Sequence, residues 1–413
     1  SININTNGQE IVDEPKINAG LVVIEDKIET TYNIGIEIRG SSSQMFPKKS
    51  YGFETKNSDF SDDLDVSLGG FPEEEDWILY GPYSDKSLIR NKLTFDLSNA
   101  IGFKASNTKF YNLFINGRTK GLYILMEKIK RDSNRVDISK NNSGSVDAGY
   151  IIKIDKPTSE DGGCNTCYEN SFSFRSNYDA NGKQSNDSEI YFIYHYPKPD
   201  DITEDQKQFI YSVINEFETI LASDNFDDPI NGYENLIDVD SFIDFFIMNE
   251  ITKNPDGFRL STFMNRDTGG KLKMGPIWDF NLAFGNVDYC DGMNPEGWIY
   301  NFNSICPSDI WLVPFWWGRL MESPDFKNKL KERWQMLRLN ILNDSSITVK
   351  IESYLEYLND NKVINQNFFR WSILGKYVWP NYFVGATHES EIDYLKYWIS
   401  IRLNWMDGQI NNF

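Results

Sequence analysis

The chain has 413 residues, of which 40% are hydrophobic, so it is long enough to fold around a sizeable core. Its 61 acidic and 41 basic residues give a net charge of −20 at pH 7. Because this charge repels nucleic acid phosphates and anionic lipids, we expect neither as a partner. No apolar run reaches the roughly 18 residues that cross a bilayer. We therefore expect no membrane span.

The first 195 residues have the pattern of a strand-rich region. Short runs of β-branched and aromatic residues, separated by Gly, Asn and Asp, occur at residues 32–40, 49–56, 77–84, 110–129 and 149–155. In the fourth run, the Asn116-Gly117 pair predicts a hairpin turn. A helical pattern interrupts the strands at residues 84–102, and Gly102 is placed to end that helix.

The composition changes in the middle of the chain. Residues 158–188 are rich in Ser, Asn, Asp and Gly, and we predict an exposed insertion there. Beyond it, apolar residues recur at helical spacing at 203–223 and 238–252. Ser390 and Asp393 are placed like the capping pair of a last helix.

This order predicts the fold class. A strand-rich N-terminal part, 1–195, precedes a helix-rich C-terminal part, 196–413, which is typical of an α+β protein with two lobes. A cleft between such lobes is the usual place for a ligand.

The four cysteines bear on the compartment of the protein. They form two sequence pairs, Cys164 with Cys167 and Cys290 with Cys306. A zinc site would need two close pairs or added histidines, so disulfides or free thiols fit better than a metal. The segment between Cys290 and Cys306 has few aliphatic residues to bury, and we predict a disulfide that closes it, with two buried thiols as the alternative. Disulfides would indicate an exported protein whose signal peptide has been removed.

Catalysis or metal binding by histidine is nearly excluded, because the sequence has so few histidines. Only His195 and His388 occur, and neither lies near a Ser or Cys in a nucleophile-like context. Ser-His-Asp catalysis and histidine-based zinc sites therefore drop out. The nucleotide-binding motif GxGxxG, the phosphate-binding motif GxxxxGK[ST] and the hydrolase motif GxSxG are also absent from the sequence.

Two acids remain as candidates for chemistry. Asp256 lies in the turn sequence "NPDG" after an apolar helix, where an Asx turn is the structural alternative. Two short predicted strands then form a hairpin within 254–286, which would bring Asp256 and Asp279 to one end. Two oxygen donors there suit Mg²⁺ or Mn²⁺ with a phosphorylated substrate. A buried structural role for Asp279, or a glycosidase acid pair, are the alternatives.

The basic candidates lie in the strand-rich part. A Ser-rich turn flanked by Lys and Arg can hold phosphate where no Walker loop exists, although each lysine alone is more often a surface residue. The residues of this kind are Arg39, Ser42, Ser43, Lys48, Lys49, Lys86 and Arg90.

Five stretches together resemble the spore coat protein H-like (CotH) kinase family. In chain order, over residues 35–286, they are "EIRGSSSQMFPKKSYGFE", "DWILYGPYSDKSLIRNKL", "NGRTKGLYILMEKIKRD", "NPDGFRLSTFMNRD" and "GPIWDFNLAFGN". The resemblance implies an atypical, secreted or surface-associated protein kinase with a kinase-like two-lobed fold. It also implies ATP and a divalent metal as cofactors, and a protein substrate with a Ser or Thr acceptor.

The resemblance also implies roles for particular residues. Asp256 matches the catalytic acid, which orients and deprotonates the acceptor hydroxyl. Asp279 matches the acid that holds the metal. Lys49 is the expected phosphate-pairing lysine. Glu127 is expected near the adenine, with an exposed Glu on an ordinary hairpin strand as the alternative.

The chain departs from the family pattern at two positions. Ser261 stands where the family often has a metal-binding Asn, and Asn281 stands where it often has an Asp. Both changes leave weaker metal ligands, so metal affinity should be lower. A catalytically silent surface binding or structural protein on the same fold is therefore the alternative function.

Overall fold

The computed structural model describes residues 1–141, 145–158, 164 and 166–413. The chain forms two compact units, each discontinuous in sequence. The barrel unit comprises Ser1–Asp96, Ser106–Lys128 and Ile347–Lys396, and the sheet-helix unit comprises Leu97–Ala105, Ile129–Ser346 and Tyr397–Phe413. The division at residues 195 and 196 stays a prediction.

The barrel unit contains a closed sheet of seven strands. They are β1 Ile2–Asn5, β2 Ile17–Glu25, β3 Ile28–Arg39, β4 Ser50–Lys56, β5 Asp76–Tyr80, β6 Thr108–Ile115 and β7 Arg118–Glu127. The order around the barrel is β1-β2-β3-β4-β5-β7-β6. All neighbours are antiparallel except β1 and β6, whose parallel pairing closes the barrel and removes the free sheet edges.

Apolar side chains at alternate positions of the strands fill the interior of the barrel. Ile34 and Ile36 of β3, Phe53 of β4, and Trp77 and Leu79 of β5 are all at most 1% exposed and belong to one core cluster. Because successive side chains of a strand point to opposite faces, every second residue faces this core. The strand-rich N-terminal part predicted from the sequence is confirmed.

Local signals fold as predicted in this region. Ile115 pairs with Arg118 across the Asn116-Gly117 turn, whose φ angles of 50° and 72° suit the tight hairpin turns that match strand twist. Helix α1, Arg90–Ala100, precedes Gly102, whose φ of +88° ends the helical path.

The C-terminal helices are α7 Asp344–Asp360, α8 Val363–Arg370 and α9 His388–Ile410. In the barrel unit, α8 packs on β7, where Asn367 Oδ1 accepts the Leu122 N–H at 3.2 Å. The predicted cap of the last helix is wrong, because α9 begins before Ser390. Thr387 and Ser390 exchange the capping hydrogen bonds instead, at 3.1 and 3.2 Å.

The sheet-helix unit contains a five-stranded antiparallel sheet with the order β12-β11-β8-β10-β9. Its strands are β8 Tyr150–Ile154, β9 Ser173–Arg175, β10 Tyr191–Tyr196, β11 Thr262–Arg266 and β12 Lys273–Met274. The helices are α2 Glu204–Ala222, α3 Val239–Thr252, α4 Phe302–Ile305, α5 Trp316–Leu320 and α6 Pro324–Leu339. The mixed α+β class and the helical C-terminal part are confirmed, and β11 and β12 form the predicted hairpin.

The segment 158–188 is not a wholly exposed insertion. Its residues 159–163 and 165 lie outside the described part of the chain, but Ser173–Arg175 forms the edge strand β9. Phe172 and Tyr178 are 3% and 8% exposed, and Phe174 stacks on Phe192 with ring centroids 5.0 Å apart. The polar composition hid these aromatic residues, which anchor the second half of the segment.

Candidate active site

The loop after α3 brings Asp256 to the site. Lys253, with a left-handed φ of 42°, ends the helix. Asn254 is buried, and its Oδ1 accepts the Asp256 N–H at 3.3 Å, which is an Asx turn. A Cβ on Gly257 would lie 2.5 Å from Asn249 Oδ1, so the turn requires glycine. The turn is thus made by Asn254, and the Asp256 carboxylate remains available for other contacts.

Arg259 holds the Asp256 carboxylate. Its guanidinium is 3.1 Å from Asp256 Oδ1 and 3.3 Å from Asp309 Oδ1. Arg259 Nε donates to the Pro255 carbonyl at 2.8 Å, and the guanidinium lies 3.9 Å from the ring centroid of Phe302. Arg259 is 3% exposed, whereas the Asp256 side chain is 21% exposed. A rigid buried cation therefore fixes a partly accessible acid. The sequence motifs did not identify this residue, although its position three residues after Asp256 was a signal.

Asp279 lies on the loop that follows β12. Its φ is +61°, and it is half-buried. Asn254 Nδ2 donates to the Asp279 carbonyl at 3.2 Å, and the Phe284 N–H donates to the Thr252 carbonyl at 2.8 Å. These two hydrogen bonds connect the Asp279 loop to the end of α3 and to the Asp256 turn.

Tyr289 reports the electrostatics of this region. Burial raises the pKa of its phenol, and the negative charges of Asp256, Asp309 and Asp279 raise that pKa further, while Arg259 opposes them. Both candidate acids therefore act on a single phenol, which stays protonated at neutral pH.

Asn281, two residues after Asp279 in the sequence, has an unsatisfied side-chain oxygen. Its backbone carbonyl accepts Asn286 Nδ2 at 2.8 Å, but its buried Oδ1 has no hydrogen-bond partner within the described residues. An unsatisfied buried carbonyl costs about 1–3 kcal/mol, which a ligand would recover. Carboxylate and amide oxygens are ligands that Mg²⁺ and Mn²⁺ prefer, so Asp279 and Asn281 fit such a metal. Ser261, with φ of 47°, lies in the same unit at the start of β11.

Unusual backbone conformations concentrate here. Between residues 253 and 291, the non-glycine residues with φ in the left-handed region are Lys253, Phe258, Ser261, Asp279, Phe284, Cys290 and Asp291. Such conformations are costly for most side chains and tend to occur at functional sites.

The loop after Tyr289 is held from several sides. Cys290 and Cys306 form the predicted disulfide, with Cα atoms 5.3 Å apart. Lys253 Nζ, which is fully buried, donates to the Asp291 and Asn294 carbonyls at 3.0 and 2.9 Å and to Asp291 Oδ2 at 2.9 Å. The residue that ends α3 next to the Asp256 turn therefore also fixes the disulfide-closed loop.

Arg402 completes this support. It is fully buried and pairs with Glu250 of α3 at 2.9 Å, and it donates to the Pro295 and Gly297 carbonyls. Burial raises the pKa of Glu250 to about 7 and lowers that of Arg402 to about 10, while their mutual attraction opposes both changes.

The structure places Lys49, Arg39, Ser42 and Ser43 in the barrel unit, not in the unit of the two acids. Lys49 is half-buried and donates to the Gln44 carbonyl. Ser42 and Ser43 lie in a short 3₁₀ turn, and Ser42 is exposed.

Three further basic candidates are also in the barrel unit, but they are buried and engaged. Lys48 is 2% exposed and donates to Asn367 Oδ1 at 2.8 Å and to the Pro82 carbonyl at 3.1 Å. Burial lowers the pKa of its ammonium, and Asp85 opposes that effect. Arg90 pairs with Asp85 at 2.7 Å, and both are about 1% exposed.

Lys86 and Glu127 are likewise 0% exposed. Lys86 Nζ donates to the Lys376 carbonyl, and burial lowers its pKa while Glu391 raises it. Glu127 Oε2 accepts the Asn107 N–H at 2.9 Å.

Lys153 is a candidate that the motifs missed. It lies on β8 of the sheet-helix unit, opposite Phe263 of β11, and is 8% exposed. Its Nζ is 3.7 Å from Asp155 Oδ2. The available signal was a lysine inside the apolar run "GYIIKID".

The two histidines have structural partners, and a cluster of three acids lies in the barrel unit. Nε2 of His195 and of His388 lies 2.9 and 3.0 Å from the carbonyl oxygens of Ile129 and Ser87, so both histidines have structural partners. Separately, carboxylates of Asp65, Glu74 and Glu75 in the barrel unit lie within 4.8 Å of one another. Of these acids, Asp65 is exposed, Glu75 is half-buried and Glu74 is buried, and all three are remote in sequence from the hairpin.

Comparison with known families identifies the chain. The family model described as CotH kinase protein matches residues 36–406, which is nearly the whole sequence. The chain therefore belongs to the CotH kinase protein family. A search of curated proteins finds no matching relative. Within the described residues, no helix has both the length and the apolar character needed to span a membrane.

Proposed function

We propose that this chain is an atypical protein kinase that uses ATP with Mg²⁺ or Mn²⁺ to phosphorylate Ser or Thr of an exported or surface protein. The carrying observation is that the Asp256 turn and the Asp279 loop are hydrogen-bonded together, while both acids act on Tyr289. Family membership supports the same reaction class. The proposal includes the kinase-like two-lobed fold that the family resemblance implies.

The residues have distinct roles in this proposal. Asp256 orients the acceptor hydroxyl and accepts its proton, and Arg259 holds the Asp256 carboxylate in position. Asp279 and Asn281 would hold the metal, with Ser261 as a further oxygen donor. When bound, the metal supplies charge neutralisation of the phosphates. Phosphoryl transfer depends on such positioning and electrostatics more than on a strong nucleophile.

Two lysines compete for the phosphate-pairing role. Lys49, with Arg39 and the neighbouring serines, is the candidate from the family resemblance. Lys153 is favoured by its position on the sheet of the unit that carries both acids. Replacing each lysine with Met and measuring ATP affinity distinguishes them, because only the loss of the phosphate-pairing lysine should weaken ATP binding strongly.

Export is part of the proposal. Two disulfides, Cys164–Cys167 and Cys290–Cys306, are present in the described chain. Disulfides persist in oxidising compartments, which supports a secreted or surface location.

The transfer reaction is tested with radiolabelled ATP, Mn²⁺ and a mixed library of Ser- and Thr-containing peptides. We expect Asp256→Asn to lower transfer by about 10²-fold or more, as for loss of a general base, and to leave nucleotide binding intact. Asp309→Asn is the matched control, because Asp309 also binds Arg259 but has no role in proton transfer; its loss should be smaller.

A catalytically silent binding or structural protein is the second candidate function. Ser261 and Asn281, the weaker ligands at two metal positions, favour it. Nucleotide binding by the wild-type chain without any transfer would support this candidate and overturn the kinase proposal.

A further inference from the structure

Three basic residues gather at one end of the barrel unit. Arg118 and Lys120 lie at the start of β7, and Arg370 is the last residue of α8. The Trp371 indole N–H donates to the Lys120 carbonyl at 2.7 Å, which fixes the end of α8 beside the start of β7. Arg118 and Arg370 are exposed, and Lys120 is half-buried. We call these three residues the basic patch.

No acid of the described chain pairs with the patch, although other barrel-unit lysines have such partners. Lys92 binds Asp96 at 3.0 Å and Lys109 binds Glu25 at 2.6 Å. Burial lowers the pKa of Lys120, and the positive charges of Arg370 and Arg118 lower it further. A half-buried ammonium beside two like charges is unfavourable, and a bound anion would relieve that cost.

The surroundings of Arg370 suit a peptide ligand. Its guanidinium lies 4.3 Å from the ring centroid of Trp371, which orients the group while its N–H edges can still bind carboxylates. The preceding residue, Phe369, is 90% exposed and can contact an apolar side chain. A bare inorganic anion would not use this ring.

We propose that the basic patch binds a short partner segment that is rich in Asp and Glu and carries an apolar side chain. Clusters of Arg and Lys recognise acidic motifs in this manner. This inference does not depend on phosphate transfer by the chain.

The net charge favours a short peptide over larger anionic partners. An anionic membrane, or a second copy of this chain, would meet the field of a protein with a charge of −20 and be repelled. A short peptide is affected chiefly by charges within the Debye length, about 8–10 Å near physiological salt. The charges that act on Lys120 are those of Arg370 and Arg118, and both are positive.

The test is fluorescence anisotropy with a labelled peptide of repeated Glu-Glu-Leu triplets. We expect saturable binding that weakens as salt is raised, and about tenfold weaker binding for the triple variant Arg118→Gln, Lys120→Gln, Arg370→Gln. The matched control removes three half-buried lysines that each pair with an acid, through Lys207→Gln, Lys329→Gln and Lys396→Gln. Both triple variants change the net charge equally, so only a local site distinguishes them.

Three outcomes would overturn the inference. They are no binding by the wild type, equal weakening in both triple variants, or vesicles containing phosphatidylserine that bind as tightly as the peptide and displace it. Phe369→Ser should also weaken binding to the Leu-containing peptide and leave binding to an all-Glu peptide unchanged. The single variant Lys120→Gln serves if the triple variant does not fold.

Discussion

Arg259 donates to two carboxylates, Asp256 and Asp309, from a position that is 3% exposed. Removing a buried cation leaves its partners unpaired, and both acids are about one-fifth exposed, so water recovers part of the cost. We predict that Arg259→Ala lowers the free energy of unfolding by about 2–4 kcal/mol, measured by urea denaturation.

Arg175→Ala is the control for this prediction. Arg175 is exposed and pairs with Asp187, whose side chain is 99% exposed. It also donates to the Tyr191 hydroxyl at 2.7 Å and to the Asn186 carbonyl at 2.9 Å, so its loss should cost only about 1 kcal/mol. Similar costs for the two variants would show that Arg259 does not hold the Asp256 turn.

Glu218 gives a residue-scale prediction on pH. It is 1% exposed and accepts hydrogen bonds from Ser176 Oγ at 2.7 Å and Trp316 Nε1 at 3.0 Å. Burial raises its pKa from 4.5 to about 7, and the two hydrogen bonds oppose this. The folded state therefore keeps a proton that the unfolded state releases, so Glu218 destabilises the fold increasingly as pH rises from 4.5 through 7.

Glu218→Gln should remove this pH dependence. The difference in free energy of unfolding between the variant and the wild type should rise by about 2–3 kcal/mol, in favour of the variant, from about pH 5 to pH 8. Urea denaturation at both pH values measures the gain. Glu216→Gln, an exposed position on the same helix, should show none. A constant difference between Glu218→Gln and wild type would contradict the assigned pKa.

At the scale of elements, the loop 290–306 combines a covalent closure with buried cationic contacts. Closing a loop of this length stabilises a protein by about 3 kcal/mol in the chain-entropy model. We predict that Cys290→Ser with Cys306→Ser lowers the melting temperature more than Cys164→Ser with Cys167→Ser, whose sequence separation is only 3. Two readily alkylated thiols at 290 and 306 in the unreduced native protein would refute the bond.

Elements defined by local signals were predictable from the sequence. The Asn116-Gly117 turn and the apolar spacing of α2 and α3 depend on neighbouring residues only. The pairing of β8 with β11 was not predictable, because Ile154 and Thr262 meet across more than a hundred residues. For the same reason, the closure of the barrel by β1 and β6 required the structure.

Some residues of the candidate site were also predictable from the sequence, and others were not. Asp256 and Asp279 were identified because each lies in a family motif with a recognisable turn or strand. Arg259 was missed because an arginine at the surface and one beside two acids look alike in sequence. Lys153 was missed because the pairing of its strand, β8, with β11 was not predictable. Lys86 was selected by its basic character, yet it is fully buried against a backbone carbonyl. Burial of that kind depends on tertiary packing.

At the scale of the whole molecule, the strongly acidic chain must bind an anionic nucleotide if it is a kinase. The candidate acids Asp256 and Asp279 lie at the proposed site, so their negative charges oppose unaided binding of the anionic ATP. A divalent metal bound by Asp279 and Asn281 would offset both the acids and the phosphates. We therefore expect nucleotide binding to depend on the metal.

The direct test is a thermal shift of the intact chain with ATP and Mn²⁺, compared with Asp279→Ala. A ligand that binds only the native state adds about 2.7 kcal/mol to the free energy of unfolding when its concentration is a hundred times its dissociation constant. The melting temperature rises as a result. We predict a saturable rise for the wild type with ATP and Mn²⁺ together, and none for Asp279→Ala. No shift of the wild type at millimolar ATP, or an equal shift in Asp279→Ala, would contradict nucleotide binding through a metal at Asp279.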